Sequence, residues 1–454
     1  MSGLEQTTPD GYQQTEVGII PTEWTLDKLD KLTDLIIDGT HHTPKYTKFG
    51  VPFLRVTDIN GVLDESEFKY VSTEEHAVLI KRAKPEFGDL LLSKNGTIGI
   101  PKVVNWSWEF SIFVSLALIK PKKKLLNSNY LEQFFKSNFL TKQLEQKAKQ
   151  GAVTNLHLEE IREILLPMPP LVEEQTAIAN ALSDVDALLS ELDKLIAKKQ
   201  AIKTATMQQL LTGKTRLPQF ATYTDGDKQG QVKGTKPSEL GEIPEDWDVS
   251  TIDNISLLPM QNGLFYEPVR KGKGIPLINV SDMYTSAPID VDSLELFDAT
   301  EPEIKTFNVI EGDLFFTRSS IVPSGIAYCN VYPLASRVAV FDSHLIKVRV
   351  NPSIADYRFI YLNCLAAHAR AHLVANAKTA TMTTIDQKAI KSCPVLLPSI
   401  QEQTAIATIL SDIDEEIQAL KQRLSKTRQI KQGMMQELLT GKTRLPFDKV
   451  DTKL

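Results

Sequence analysis

At 454 residues the chain is long enough for more than one domain, and its 42% hydrophobic and 24% charged content is ordinary for a soluble globular protein. A formal net charge of −6 argues against nucleic-acid binding by the chain as a whole, although a local basic face outweighs the sum. No run is long and apolar enough to span a bilayer, and the polar tail at 1–15 has no signal-peptide or anchor core.

In chain order, the first motif is Glu16-Val17-Gly18-Ile19-Ile20-Pro21-Thr22-Glu23-Trp24. A strand-like stretch then leads to the polar loop Asp38-Gly39-Thr40-His41-His42-Thr43-Pro44-Lys45-Tyr46. Val51-Pro52-Phe53-Leu54 and Gly88-Asp89-Leu90-Leu91 read as frame elements, the second followed by Ser93-Lys94-Asn95-Gly96-Thr97. The basic run Lys120, Lys122, Lys123 and Lys124 reads as a solvated loop or a phosphate contact. Tyr130, Leu131, Phe134, Phe135, Phe139 and Leu144 mark a helical insert with a core-facing stripe. The polar loop Gln150-Gly151-Ala152-Val153-Thr154-Asn155 and the frame element Leu165-Leu166-Pro167 close this part.

A long helix follows, from Gln175-Thr176-Ala177-Ile178-Ala179 to Leu210-Leu211-Thr212-Gly213-Lys214-Thr215-Arg216-Leu217-Pro218. Val185, Leu189, Leu192, Ile196, Ile202 and Leu210 recur at threes and fours, as in a coiled-coil seam. No proline interrupts it, and a Gly then a Pro end it, which predicts one helix of roughly 35 residues. The residues from Tyr223 to Lys236 read as a linker.

The chain then repeats itself. Glu239-Leu240-Gly241-Glu242-Ile243-Pro244-Glu245-Asp246-Trp247 echoes the first motif, Ile275-Pro276-Leu277-Ile278 echoes Val51 to Leu54, and Gly312-Asp313-Leu314-Phe315 echoes Gly88 to Leu91. Tyr357, Phe359, Ile360, Leu362, Leu365 and Leu373 mark the second insert, and Leu396-Leu397-Pro398 echoes Leu165 to Pro167. The second helix returns the first at a constant offset of 228 (403 − 175 and 446 − 218), with seam residues Ile413, Ile417, Leu420, Leu424, Ile430, Met434 and Leu438. A single-faced helix that long needs a partner, and the simplest is the other copy.

The loops between the frame elements do not repeat. The second half carries Gln261-Asn262-Gly263, then Arg270-Lys271-Gly272-Lys273, then Arg318-Ser319-Ser320, then Lys378-Thr379-Ala380-Thr381. Gly, Ser, Thr, Asn, Lys and Arg dominate them, either as ordinary turn chemistry or as a binding face on a rigid scaffold. Taken jointly across both halves they favour binding, because these side chains reach phosphates and base edges. The candidate contact residues are His41, His42, Thr43, Lys45, Lys94, Asn95, Thr97 and Asn155 in half one. In half two they are Gln261, Asn262, Arg270, Lys271, Lys273, Arg318, Ser319, Ser320, Lys378 and Thr381.

Several motifs fail. Gly213-Lys214-Thr215 and Gly441-Lys442-Thr443 lack the glycine five residues earlier that a phosphate loop needs; Gln208 and Gln436 stand there. His368 and His372 lack both the zincin glutamate, replaced by Ala369, and a third ligand. Cys329, Cys364 and Cys393 have no metal or redox spacing, so inert thiols are expected. No nucleotide fingerprint, methyltransferase motif or nuclease carboxylate cluster is evident, so no catalysis and no metal or cofactor site is expected in this chain.

Two differing domains, each followed by a helix ending Leu-Leu-Thr-Gly-Lys-Thr-Arg-Leu-Pro, resemble the specificity subunit of a type I restriction-modification system. The Gly-x-Ile-Pro-x-x-Trp starts at Gly18 and Gly241, the Asp38-Gly39-Thr40-His41 loop and the Gln-Thr-Ala-Ile-Ala helix starts support the resemblance, which runs from about Glu16 to Pro446. Half two departs from it by lacking Asp-Gly-Thr-His.

The resemblance implies an α+β fold: two similar mixed α/β target-recognition domains joined by two long antiparallel coiled-coil helices, pseudo-twofold related. The expected boundaries are a tail at 1–15, recognition domains at 16–168 and 239–398, helix regions at 169–220 and 399–446, a linker at 221–238 and a tail at 447–454. Each domain would read half of a split asymmetric site on double-stranded DNA, with the helices as spacer. Two methyltransferase subunits, and restriction subunits in the full complex, would carry the chemistry in the cytoplasm with S-adenosylmethionine, ATP and magnesium. The other reading of the residues is a coiled-coil adaptor that binds protein partners and no DNA.

Overall fold

The computed structural model describes residues 8–147, 155–265, 267–285, 287–334, 337–379 and 382–446. It divides into two compact units: Met1–Asp193 with Gln422–Leu454, and Lys194–Lys421.

Both units are built on one plan. In the first, an antiparallel four-stranded sheet runs Thr33–Asp38, Leu116–Pro121, Leu90–Ser93, Pro101–Val103. In the second, the same order is Gln261–Asn262, Leu345–Val348, Leu314–Thr317, Cys329–Val331. The inner strands are buried except at Lys120, as runs such as Leu90-Leu91-Leu92 and Leu314-Phe315-Phe316 dictate for a sheet covered on both faces. A second sheet in each unit contains one parallel pair: Ser111–Ile112 beside Val51–Leu54, and Val340–Phe341 beside Lys271–Ile278. The Leu-Leu-Pro elements become strands Leu165–Met168 and Pro394–Leu397, paired with Thr25–Lys28 and Asp248–Thr251.

The inserts are helical, at Ser128–Phe135 with Asn138–Lys147 and at Tyr357–Leu365 with Ala367–Ala375. Their stripes point inward as expected; Tyr130, Leu131, Phe134, Phe359, Ile360 and Leu373 are all fully buried. The three cysteines are buried free thiols. The expected linker is folded onto the second unit: Tyr223 Oη donates to Glu245 Oε1 at 2.5 Å and Lys233 Nζ reaches Asp246 at 2.8 Å.

The two long helices are Val172–Leu210 and Ile400–Leu438, 39 residues each. Within each unit their segments run antiparallel. In the second unit Lys199 meets Glu416 and Lys203 meets Asp414, so one number rises as the other falls. In the first, Asp186 meets Lys431 and Asp193 meets Arg428. Leu192, Ile196, Ile417, Leu424 and Leu438 are buried as the seam pattern requires. Ile202 and Ile430 are not, at 41% and 50% exposure. The next residue on each helix, Lys203 or Lys431, turns inward instead and ends on a carboxylate.

Each helix ends where the sequence places its stop. Gly213 and Gly441 adopt left-handed φ of +69° and +67°, the usual glycine termination. Both lie flat against the Pro-x-x-Trp motif. A Cβ on Gly213 would sit 2.5 Å from the Pro244 ring, and one on Gly441 would sit 2.6 Å from that of Pro21. The arginine three residues on then closes the joint. Arg216 forks onto Glu402 at 2.6 and 2.7 Å, bonds Asp246, and lies 5.6 Å over the Trp247 ring. Arg444 does the same with Glu174, Glu23 and Trp24. The Gly-Lys-Thr tripeptides are therefore structural corners.

Candidate nucleic-acid interface

Three of the variable loops gather at one place on each unit's four-stranded sheet. In half one, Asp38 ends its strand beside Ala117, and Lys94 follows Ser93 beside Leu116. Lys94 N–H donates to Ser115 O, and Lys94 O accepts from Leu156 N–H, which brings in Asn155, bridged to Asn95. In half two, Asn262 ends its strand beside Ile346, and Arg318 follows Thr317 beside Leu345. Arg318 N–H donates to His344 O, and Arg318 O accepts from Ile385 N–H. The backbone bonding is the same, residue for residue. Gly39 and Gly263 are needed for it, because a Cβ there would lie 2.0 and 2.1 Å from the carbonyl oxygens of Ile112 and Phe341.

The side chains on this common frame differ. In half one, buried Asp38 is a hub. Its Oδ1 accepts from Arg82 at 2.5 Å and lies 3.2 Å from His41 Nε2; its Oδ2 pairs with Lys94 Nζ at 3.0 Å. Burial works to raise the Asp38 pKa, but the hydrogen bonds from Arg82, Lys94 and His41 outweigh it and hold the carboxyl below its ordinary value. Lys94 is only 6% exposed, so this candidate lies beneath the surface with its charge neutralised. His41, His42, Thr43, Lys45, Thr97 and Asn155 are exposed and Asn95 is half-buried. His42 is steered by Thr40 at 2.8 Å and Glu75 at 3.4 Å.

In half two the corresponding place is a cleft of about 650 Å³ lined by Asn262, Arg318, Ser319, His344, Lys378 and Gln387 among others. Asn262 Oδ1 accepts from Gln387 Nε2 at 3.1 Å. Ser319 and Ser320 pair with Thr384 and Thr383, and Lys378 with Thr384, so these candidates are brought together.

Others are not. Gln261 turns its amide to Thr306 O. Arg270 forks onto Glu303 at 3.0 and 2.5 Å, covers the Phe297 ring at 4.5 Å, and holds the Glu303 carboxyl down to about 2 by those hydrogen bonds against a smaller burial effect. It is a structural clamp, and Lys271 and Lys273 face Glu295 and Asp298 at 2.9 Å each. Thr381, and the loop residues 150–154, lie outside the described residues.

Sequence reasoning passed over Arg82, His344 and Gln387. The last two stand where half one has Ser115 and Leu158, so a residue-by-residue comparison of the halves at loop positions would have found them. Among the described residues no group of three or more His, Cys, Asp or Glu is placed to hold a metal, and no helix is long and apolar enough to cross a membrane.

A family model described as "Type I restriction modification DNA specificity domain" matches residues 23–204 and 244–429, one match per half. The chain belongs to the family of type I restriction-modification specificity subunits. This specificity subunit is 25% identical to the putative type I restriction enzyme MjaX specificity subunit of Methanocaldococcus jannaschii, over 96% of this chain and 97% of that one. It is 24% identical to the type I restriction enzyme EcoKI specificity subunit of Escherichia coli K12, over 86% and 82%. The crystal structure of the type I restriction-modification S subunit from M. genitalium covers 94% of this chain and 96% of its own, with a TM-score of 0.55 at 16% identity, a likeness of fold. The two-domain repeat with its paired helices is thus the architecture of the family.

Proposed function

We propose that each unit of this specificity subunit reads one half of a split, asymmetric site on double-stranded DNA, while the paired helices fix the number of base pairs between the halves. One observation carries this reading: the same backbone hydrogen bonds hold Asp38 with buried Lys94 in one half, and Asn262 with exposed Arg318 in the other. Two copies of one scaffold with different polar groups at the same positions are what a non-palindromic target demands. The contact set on this reading is exposed His41, His42, Thr43, Lys45, Thr97 and Asn155 with half-buried Asn95, against exposed Arg318 and Lys378 with half-buried Ser319 and Ser320, and Asn262 on the cleft wall. Lys94 and Arg270 serve by positioning.

The subunit has no catalysis of its own on this reading. Two methyltransferase subunits, and restriction subunits in the full complex, bring the adenine methylation and ATP-dependent cleavage, and S-adenosylmethionine, ATP and magnesium reside on them in the cytoplasm. Support comes from the tripeptides Gly213-Lys214-Thr215 and Gly441-Lys442-Thr443, which end helices rather than cradle phosphates.

The test is to exchange residues 38–155 for those of a relative with another target. Modification of a randomised duplex pool by the assembled methyltransferase complex should change in one half-site only. A change in both, or in neither, overturns the assignment.

A further inference from the structure

Resting on that reading, we propose that Arg318 is the residue of half two that reads a guanine, by presenting its guanidinium to the base edge from the wall of the Asn262–Gln387 cleft.

The argument starts from the equivalence of positions 94 and 318. Each follows the last residue of an inner strand, each donates its N–H to the carbonyl of the facing loop (Ser115 or His344), and each accepts at its carbonyl from the residue after the returning loop (Leu156 or Ile385). The frame therefore aims a long cationic side chain from the same point in both halves.

What becomes of the charge differs. Asp38 stands opposite Lys94 at 3.0 Å and takes it out of play. Position 262, at the corresponding strand end, is an asparagine, and its oxygen is occupied by Gln387 Nε2 at 3.1 Å. Arg318 is exposed and forms no ion pair among the described residues. The one carboxylate lining the cleft, Asp386, lies 3.8 Å from Lys378 Nζ. A single substitution at the strand end, Asp in one half and Asn in the other, thus decides whether the cation is locked or presented.

The surroundings favour a base edge over a phosphate. A phosphate site gathers several cations or backbone N–H groups at a helix start. Here the second cation of the cleft, Lys378, faces Asp386 at 3.8 Å, and Asp386 also caps the helix that starts at Gln387 by accepting from Ala389 N–H. Arg318 is left beside Asn262, Ser319, Thr384 and Gln387, which supply amides and hydroxyls, and Ile346 and Met382, which supply apolar surface. Arginine's fork matches the O6 and N7 acceptors of guanine in the major groove, a geometry lysine's single ammonium does not reproduce.

The experiment uses the full chain assembled with its methyltransferase subunits, a randomised duplex pool and S-adenosylmethionine, with sequencing of the modified fraction. For Arg318→Lys, and more so Arg318→Ala, the preference for guanine at one position of the second half-site should fall on the order of tenfold or more. The first half-site should stay as in the wild type. Because the Arg318 side chain is exposed, the melting temperature should not move. Uniform weakening at all sequences, with an unchanged motif and a shallower salt dependence, would make it a phosphate contact and overturn the proposal, as would an unaltered motif at unaltered strength. If the wild-type complex shows no sequence preference at all, the failure lies with the reading of the protein as a DNA-specificity subunit. The reciprocal variant Asn262→Asp, which rebuilds the half-one lock, should reduce the same guanine preference while Arg318 is still present.

Discussion

The ammonium of Lys431 lies 2.5 Å from Asp186 Oδ1, and Lys203, 228 positions earlier, holds Asp414 at 2.6 Å in the other unit. The two pairs are repeats of one another, since 414 − 186 is also 228. Lys431 is nearly buried, while Asp186 is about one-third open to solvent. Lys431→Ala should therefore cost roughly 1–2 kcal/mol, between the about 0–1 of an exposed pair and the about 3–5 of a fully buried one. Lys203→Ala should cost less, because both members of the Lys203–Asp414 pair are more open. A double-mutant cycle with Asp186→Ala, read by urea unfolding, measures the coupling; additivity would show that the pair contributes nothing. The pH dependence has a definite sign. Burial raises the Asp186 pKa, but the hydrogen bonds from Lys431 and Gln133 prevail and leave it below its ordinary value. Its contribution is present above the unfolded-state pKa and is lost as the pH falls through the folded one.

The arginine joint predicts a larger effect. Glu402 is 1% exposed and accepts from both Arg216 and the Trp247 indole. Removing Arg216 leaves a buried carboxylate with one neutral donor, and Arg216→Ala should destabilise the second unit by about 3 kcal/mol. Arg216→Lys should recover only part of this, because two nitrogens of the planar fork bind Glu402 while the third reaches Asp246. Chemical denaturation followed by Trp247 fluorescence checks both; a loss below about 0.5 kcal/mol for Arg216→Ala would show the joint to be ornamental.

Much of this was legible in the residues, and the gaps have physical causes. The duplication, the helix stops at Gly213 and Gly441 and the core-facing inserts are local or periodic signals, and local signals survive into the fold. That the Thr-Arg-Leu-Pro arginine grips the carboxylate beside Trp24 was not readable, because Arg444 and Glu23 lie 421 positions apart and sequence carries no register between such segments. Ile202 and Ile430 were misassigned to the seam since hydrophobicity alone ranks them above Lys203 and Lys431; a lysine stem packs well when its head finds a carboxylate. Lys94 was read as a surface cation for the same reason: the Asp38 that buries it lies on another strand.

Asp38 offers a pH test within half one. Its carboxylate holds Arg82, Lys94 and His41 together. Asp38→Asn leaves the Lys94 ammonium buried without its counter-ion, at a cost of about 3 kcal/mol. In the wild type the stabilisation is complete above the unfolded-state carboxyl pKa and disappears as the pH drops through the lowered folded value. Melting temperatures from pH 7 downward should thus fall more steeply for the wild type than for Asp38→Asn, and the two curves should converge in acid. Parallel curves would show that the hub carries no such linkage.

The last prediction concerns the spacing of the two half-sites. The Lys203–Asp414 pair sets Ala205 opposite Asp412 on the second helix. Inserting four residues after each of these positions adds about 6 Å to both helices at 1.5 Å per residue. Four residues are close to one full turn, so the seam returns to within about 40° of its original face and the pairing is kept. Insertion in one helix alone would misalign every ion pair beyond it and unfold the joint at Glu402. With about 3.4 Å per base pair, the gap tolerated between the half-sites should lengthen by one or two base pairs while both half-site sequences stay unchanged. Modification of duplexes carrying a graded series of gaps, by the assembled complex, reads this directly. An optimum that does not move in a protein that melts normally would mean that something other than the paired helices sets the distance.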